Sequence, residues 1–338
     1  MRISTIFSGL ALFAAGYAAP LGSKGRSVAS LTFQGKPITH FLAFGDSYTY
    51  VDGTYGRLAY SFIGDAFNTV YTPEELLTNE IKLNSTSSGG PNWVNPAQLM
   101  QVAVQTTVLY LCGTLLSPEL IRHLLSPHHD YTVSLVDQVA HYLASADSVL
   151  GLPRESTLVA FWIGINDVND SYKWKNVTFT DLYQADIDYL YSAVEQMYAA
   201  GYKNFLFMNT PATGPAPSDT LRNNVAIWNQ ILEHERHSFN RKHIHDEDVA
   251  TYKYDVVKEF NKILEHYERY GFETISTDTD YANVGAISYC AASAQPDILW
   301  NYASYGCLPI DKYFWLNSGH VTWPVHSILA EDLRAAMA

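Results

Sequence analysis

The sequence predicts a three-layer α/β/α sandwich on a mainly parallel central sheet, and three observations carry that prediction. Short apolar runs recur along the chain, amphipathic stretches at helical spacing separate them, and the runs end at glycine or turn-forming clusters. Strands buried on both faces read as continuous apolar runs, and covering helices supply the amphipathic pattern between them.

At the start, Arg2 precedes the apolar stretch Ile3 to Ala15 and the small-residue site Gly16-Tyr17-Ala18. That pattern predicts a secretory signal peptide over residues 1–19, too short and wrongly flanked for a membrane span. No repeat, low-complexity tract or long linker divides residues 20–338, which are expected to form a single domain. Residues 20–38 are polar and irregular, an arm leading into the fold. His40-Phe41-Leu42-Ala43-Phe44, halted by Gly45-Asp46-Ser47, predicts a buried strand ending in a turn. Thr157 to Ile163, halted by Gly164, predicts a second. Asn204 to Met208 predicts a third, followed by a Pro/Gly-rich loop from Asn209 to Pro217. Between Phe179 and Ala200 the stripe Leu182, Tyr183, Ile187, Leu190, Val194, Met197 and Tyr198 predicts a helix that Gly201 stops. Leu221, Val225, Trp228, Leu232 and Phe239 predict another between Ser218 and His243.

The chain has 338 residues, of which 47% are hydrophobic and 16% charged, with a formal net charge of −13. So acidic a balance argues against nucleic acid or an anionic membrane surface as partner. Beyond the leader no stretch reaches the ~18 apolar residues of a spanning helix. Asn84, Asn169 and Asn176 head glycosylation sequons. Of the 3 cysteines, Cys290 and Cys307 are the expected disulfide in an oxidising compartment, leaving Cys112 as a buried thiol.

Ligands of open α/β sheets bind at the carboxyl ends of the strands, where both Gly45-Asp46-Ser47 and Gly164-Ile165-Asn166-Asp167 fall. A serine there becomes a nucleophile when a base takes its proton and donors receive the oxyanion. No Gly-x-Ser-x-Gly elbow occurs in the chain, so the usual α/β-hydrolase reading has no foothold.

Three blocks resemble the SGNH, or GDSL, hydrolases: Phe44-Gly45-Asp46-Ser47, Gly164-Ile165-Asn166-Asp167, and Phe314-Trp315-Leu316-Asn317-Ser318-Gly319-His320. The resemblance implies a flavodoxin-like sandwich with Ser47 as nucleophile and His320 as base. It implies oxyanion donors at the Ser47 N–H, at Asn166, and at a glycine of the second block. Gly113 is the candidate, the only glycine between Gln105 and Leu125, a stretch that departs from the family pattern. Ser134-Leu135 to Gln138-Val139 matches the helix after it. Three residues before the histidine the family usually has aspartate, and this chain has Asn317. Asn317, a backbone carbonyl or Asp311 is expected to orient His320.

Asp46, Asp167 and Trp93 are the candidate substrate contacts, Trp93 within a glycine-rich loop similar to the family's substrate-side loop. Asp52 and Asp170 are read as polar turn residues or site-shaping groups. His234, His237, His243 and His245 read as a solvated helix face, His128-His129 as a loop pair, and no metal or cofactor is expected. Phe-Gly-Asp-Ser-Tyr, Ser-Gly-Gly-Pro-Asn-Trp and Phe-Trp-Leu-Asn most resemble the secreted fungal acetylesterases of carbohydrate esterase family sixteen. That implies an extracellular esterase removing O-acetyl groups from hemicellulose-derived oligosaccharides through an acyl-Ser47 intermediate; a monomer is expected. The alternatives are a lipid or aryl esterase of the same fold, and a secreted binding protein with an impaired site.

Overall fold

The computed structural model describes residues 32–54, 71–82, 86–94, 106–108, 133–214, 217–273 and 298–337. The expected leader, Asn84, Cys112, Gly113, His128-His129 and Cys290 lie outside these residues.

Five strands form the central sheet: β1 (His40–Gly45), β2 (Thr106–Val108), β3 (Thr157–Trp162), β4 (Asn204–Met208) and β5 (Ala250–Tyr254). Their spatial order is β2-β1-β3-β4-β5, and every neighbouring pair is parallel. The three apolar runs became β1, β3 and β4, with all residues of β3 and β4 buried. β2 and β5, the two edges, carry no such run. This strand order reverses direction between β1 and β3, the switch point at which flavodoxin-like sheets bind ligands. In the β1–β3 register Gly45 faces Trp162, so Ser47 and Asn166 both follow immediately beyond adjacent strand ends.

The helices used below are α1 (Leu135–His141), α2 (Ile165–Ser171), α3 (Phe179–Ala199), α4 (Asp219–Lys242), α5 (Val256–Glu265) and α6 (Trp323–Met337). α3 packs against both α1 and α4. Its predicted stripe is buried except for half-buried Tyr198, and the buried face also holds Asp186. α4 starts where Ser218 Oγ accepts the Leu221 N–H at 3.2 Å, a side-chain cap for an otherwise unbonded donor. Gly201, at φ +99°, stops α3 in the left-handed conformation that glycine adopts without strain.

Part of the predicted irregular arm is strand. Thr32–Phe33 and Lys36–Pro37 pair antiparallel, and Phe33 buries its ring edge-on to Tyr252 of β5. Gln34 Nε2 donates to the Thr251 carbonyl at 3.4 Å, and Thr32 Oγ1 donates to the Met337 carbonyl at 3.1 Å. The arm therefore covers an edge strand that would otherwise offer a row of open backbone groups.

Candidate active site

The nucleophile turn is held from several sides. Asp46 is fully buried, and its Oδ1 accepts the Tyr48 N–H at 3.1 Å while its carbonyl accepts the Thr49 N–H at 3.0 Å. This side-chain turn lets the chain reverse directly after β1. A Cβ on Gly45 would stand 2.4 Å from the Trp162 carbonyl oxygen and 2.6 Å from Thr49 Oγ1, so only glycine fits. Gln138 of α1 donates to the Gly45 carbonyl at 3.2 Å. Asn92 Nδ2 donates to the carbonyls of Tyr48 and Tyr50, at 3.3 and 2.7 Å.

The imidazole arrives on a tight loop after the buried pair Phe314-Trp315. Trp315 and Val321 form an antiparallel bridge, and the His320 carbonyl accepts the Leu316 N–H at 2.8 Å. His320 Nε2 lies 2.7 Å from Ser47 Oγ, within reach for proton transfer. Its Nδ1 lies 3.0 Å from Asn317 Oδ1.

The hydrogen bonds around Asn317 assign the tautomer. The same Oδ1 accepts the backbone N–H groups of Gly319 and His320, each at 2.8 Å. Backbone N–H groups only donate, so the atom that meets them is the amide oxygen and not its nitrogen. Nδ1, facing that oxygen, must carry a proton, which leaves the Nε2 lone pair directed at Ser47. Asn317 is thus the orienting group. Asp311 is exposed on the preceding one-turn helix Ile310–Lys312.

On the other side of the switch point, α2 begins after Gly164, whose φ is +112°. A Cβ there would sit 2.2 Å from Trp228 of α4. This close packing brings Asn166, 8% exposed, into the first turn beside the Ser47 strand end. Behind it Asp186 of α3 is buried near Asp167. Burial first, and the Asp167 charge second, push the Asp186 carboxyl up to about 9. His326 of α6 is also buried; burial, with the nearby His320, lowers it to about 3, so it stays neutral.

A family model described as GDSL-like lipase/acylhydrolase matches residues 41–281, most of the chain and both the nucleophile and Asn166 blocks. The chain belongs to this GDSL family. It is a carboxylic-ester hydrolase. A curated acetylesterase from Thermothelomyces thermophilus is 23% identical over 248 residues, covering 69% of this chain and 75% of the relative. Among solved structures, a catalytic mutant of an acetylxylan esterase from Geobacillus stearothermophilus is 15% identical. It aligns over 89% of this chain and 94% of the other, with a TM-score of 0.43. A carbohydrate acetylesterase from Sinorhizobium meliloti is 14% identical, covering 88% and 97%, at 0.40. Superpositions this loose add nothing to the fold described above.

In this GDSL hydrolase the three expected substrate contacts are not at the surface. Asp46 and Trp93 are 0% and Asp167 is 1% exposed. Asp46 shapes the nucleophile turn, and Trp93 packs edge-on against Phe41 and Trp162. The glycine-rich loop braces the site from behind: the Ser88 carbonyl accepts the Trp323 N–H at 2.9 Å. Asp52 pairs with Lys82 at 3.2 Å, an ordinary surface ion pair.

The sequons also differ. Asn176 is exposed, with a φ of +63°. Asn169 is half-buried, and its Nδ2 donates to Thr213 Oγ1 at 2.8 Å. That amide ties α2 to the loop after β4. Cys307 is disulfide-bonded. His234 and His237 are exposed on α4 as expected, but His243 is not part of a solvated face. Its side chain is 11% exposed, bonds Glu195 at 3.0 Å and packs on Tyr198. Among the described residues no group of side chains suits a metal ion, and no helix is long and apolar enough to cross a membrane.

Tyr48, Asn92, Gln138 and His326 escaped the sequence reading. Tyr48, Asn92 and Gln138 each stand in a block that resembles the family, which was the signal for them; His326, within the last helix, carried none.

Proposed function

We propose that this GDSL hydrolase is a secreted acetylesterase that removes O-acetyl groups from carbohydrates through an acetyl-Ser47 intermediate. The observation that carries the reading is the Ser47 Oγ–His320 Nε2 contact of 2.7 Å, with the tautomer assigned by Asn317. Nε2 takes the Oγ proton as Oγ attacks the ester carbonyl. The oxyanion is received by the Ser47 N–H and Asn166. As the C–O bond breaks, Nε2–H protonates the leaving sugar oxygen, which departs as a hydroxyl. Water then enters, gives one proton to Nε2 and attacks the acyl carbon, and that proton passes to Ser47 Oγ as acetic acid leaves and ionises in solvent.

The acetyl group is supported by the name of the Thermothelomyces relative; the carbohydrate rests on the resemblance of the nucleophile, glycine-rich and histidine blocks. Secretion is supported by the disulfide at Cys307, since such bonds persist in oxidising compartments. The test is a hydrolysis panel from acetyl to long-chain esters with acetylated xylo-oligosaccharides, alongside Ser47→Ala. Acetyl esters should turn over, an acetyl group should be trapped on Ser47 by mass spectrometry after an acid quench, and Ser47→Ala should be folded and inactive. Hydrolysis confined to long chains would defeat the acetylesterase reading, and an active Ser47→Ala would defeat the nucleophile.

A further inference from the structure

We propose that Tyr48 is a positioning residue for His320, giving the base a second attachment to the nucleophile turn where Asn317 supplies no charge. The inference rests on the Ser47–His320 dyad and goes beyond it.

Tyr48 is 1% exposed, and its own backbone is fixed at both ends. The N–H is held by Asp46 Oδ1 and the carbonyl by Asn92 Nδ2. From this anchored position its hydroxyl donates to the Gly319 carbonyl at 2.6 Å, joining residues 271 apart in sequence. Gly319 immediately precedes His320, and its N–H already points at Asn317 Oδ1. Nucleophile turn and histidine loop are thus linked twice: Ser47 to the imidazole, and Tyr48 to the peptide that carries it. The first link is broken and remade in every turnover. The second need not move.

The ring adds an electrostatic part. Its centroid lies 5.6 Å from that of His320, with the planes tilted by 31°. An aromatic face within about 6 Å favours a cation, and His320 becomes cationic only as the reaction proceeds. Trp162, at 4.9 Å, and His326, at 5.7 Å, pack on the same ring and keep it in place. His326 is neutral, so it brings no competing charge to the imidazolium.

A Tyr48 that merely filled the core would cost the same whichever residue oriented the imidazole. A positioning Tyr48 would matter less once a carboxylate held the ring alone. The experiment is therefore a double-mutant cycle of Tyr48→Phe and Asn317→Asp, with kcat, KM and Tm measured on an acetyl ester. Tyr48→Phe should lower kcat roughly tenfold with KM unchanged, below the ~hundredfold an ångström of misplacement can cost. In the Asn317→Asp background the loss should shrink to about threefold or less, while the Tm shift stays the same. Equal losses in both backgrounds, or an unaltered kcat, would overturn the proposal. Should Tyr48→Phe fail to fold, difluorotyrosine at the same position keeps shape and hydroxyl and drains the ring face. Its kcat should fall at constant Tm, and an unchanged kcat would overturn the proposal. An active Ser47→Ala would instead remove the dyad itself, whatever Tyr48 does.

Discussion

Replacing Asn317 by aspartate should raise kcat by about tenfold. The amide oxygen already accepts three N–H groups, from Gly319, from the His320 backbone and from His320 Nδ1. Three converging donors favour negative charge on that oxygen, so a carboxylate keeps every bond and strengthens each. The Asn317 Nδ2 makes no hydrogen bond to the described residues, so exchanging it for oxygen removes nothing there. A neutral hydrogen bond contributes about 1 kcal/mol net and one to a charged group about 1.5–3. The gain, realised when Nδ1–H belongs to an imidazolium, is therefore about 0.5–2 kcal/mol, and 1.36 kcal/mol, near the middle of that range, is tenfold in rate. The reverse change in serine proteases costs about ten-thousandfold, largely because asparagine there leaves the wrong tautomer. Here the two backbone donors enforce the correct tautomer with asparagine in place, so most of that factor is not available to be recovered. Initial rates on a chromogenic acetyl ester, with Tm as a folding control, make the measurement. A fall in kcat would refute the three-donor argument, and a gain of about a thousandfold or more would refute the tautomer assignment.

Asn166→Ala should reduce kcat by about a hundred- to a thousandfold with little change in KM, the effect of losing one oxyanion donor; a loss under about fivefold in steady-state kinetics would remove Asn166 from that role. Stability should fall on the alkaline side. Asp186, pushed from 3.8 up to about 9, loses its stabilising proton as pH rises between those values. His326, lowered from 6.5 to about 3, acts oppositely, its contribution being lost as pH falls through that window. Between 3.8 and 6.5 the two slopes oppose each other; above 6.5 Asp186 alone of the two contributes, at up to about 1.4 kcal/mol per pH unit. Tm measured from pH 6.5 to 9 should decline in the wild type and flatten in Asp186→Asn, and parallel curves would refute the assignment.

The legible parts of the fold were those in which burial imposes composition. β1, β3 and β4 lie inside the sheet, so both faces demanded apolar side chains and a continuous run resulted. β5 is an edge strand; Lys253 and Tyr252 remain half-exposed, and Ala-Thr-Tyr-Lys-Tyr looks like ordinary surface sequence. β2 is three residues long, too short for any period to show. Asp186 was passed over because a charged residue does not belong to an apolar stripe, although α3 buries it with its neighbours.

Within the site, sequence position gave the correct strand end but not the direction of a side chain. Ser47, Asn317 and His320, which the structure brings into contact, stand in blocks whose chemistry is specific. Asp46, Asp167 and Trp93 read as substrate contacts because they share those blocks or the loop between them. At a switch point, however, a residue can face outward to the ligand or inward to the turn that presents it. The turn needs its own acceptors: the Tyr48 and Thr49 N–H groups have no helix or strand partner, and Asp46 satisfies both from inside. An Asp46 side chain turned to water would leave the Tyr48 N–H unbonded beneath a buried ring, while Thr49 would keep the Asp46 carbonyl.

That same division of labour accounts for a base without an aspartate behind it. Orientation and charge are separable duties of the third triad member, and only orientation requires a particular atom in a particular place. The histidine loop assigns orientation to an oxygen that its own backbone holds through the Gly319 and His320 N–H groups, so the amide cannot turn its nitrogen inward without placing donors against donors. Because these bonds belong to the loop and not to the imidazole, they do not depend on the Ser47–His320 contact. The tautomer that turns the Nε2 lone pair to Ser47 is therefore held by the loop itself. Asparagine is compatible with catalysis here for a reason that lies in the backbone, and a substitution that loosened the Leu316–His320 loop would cost more than the missing charge does.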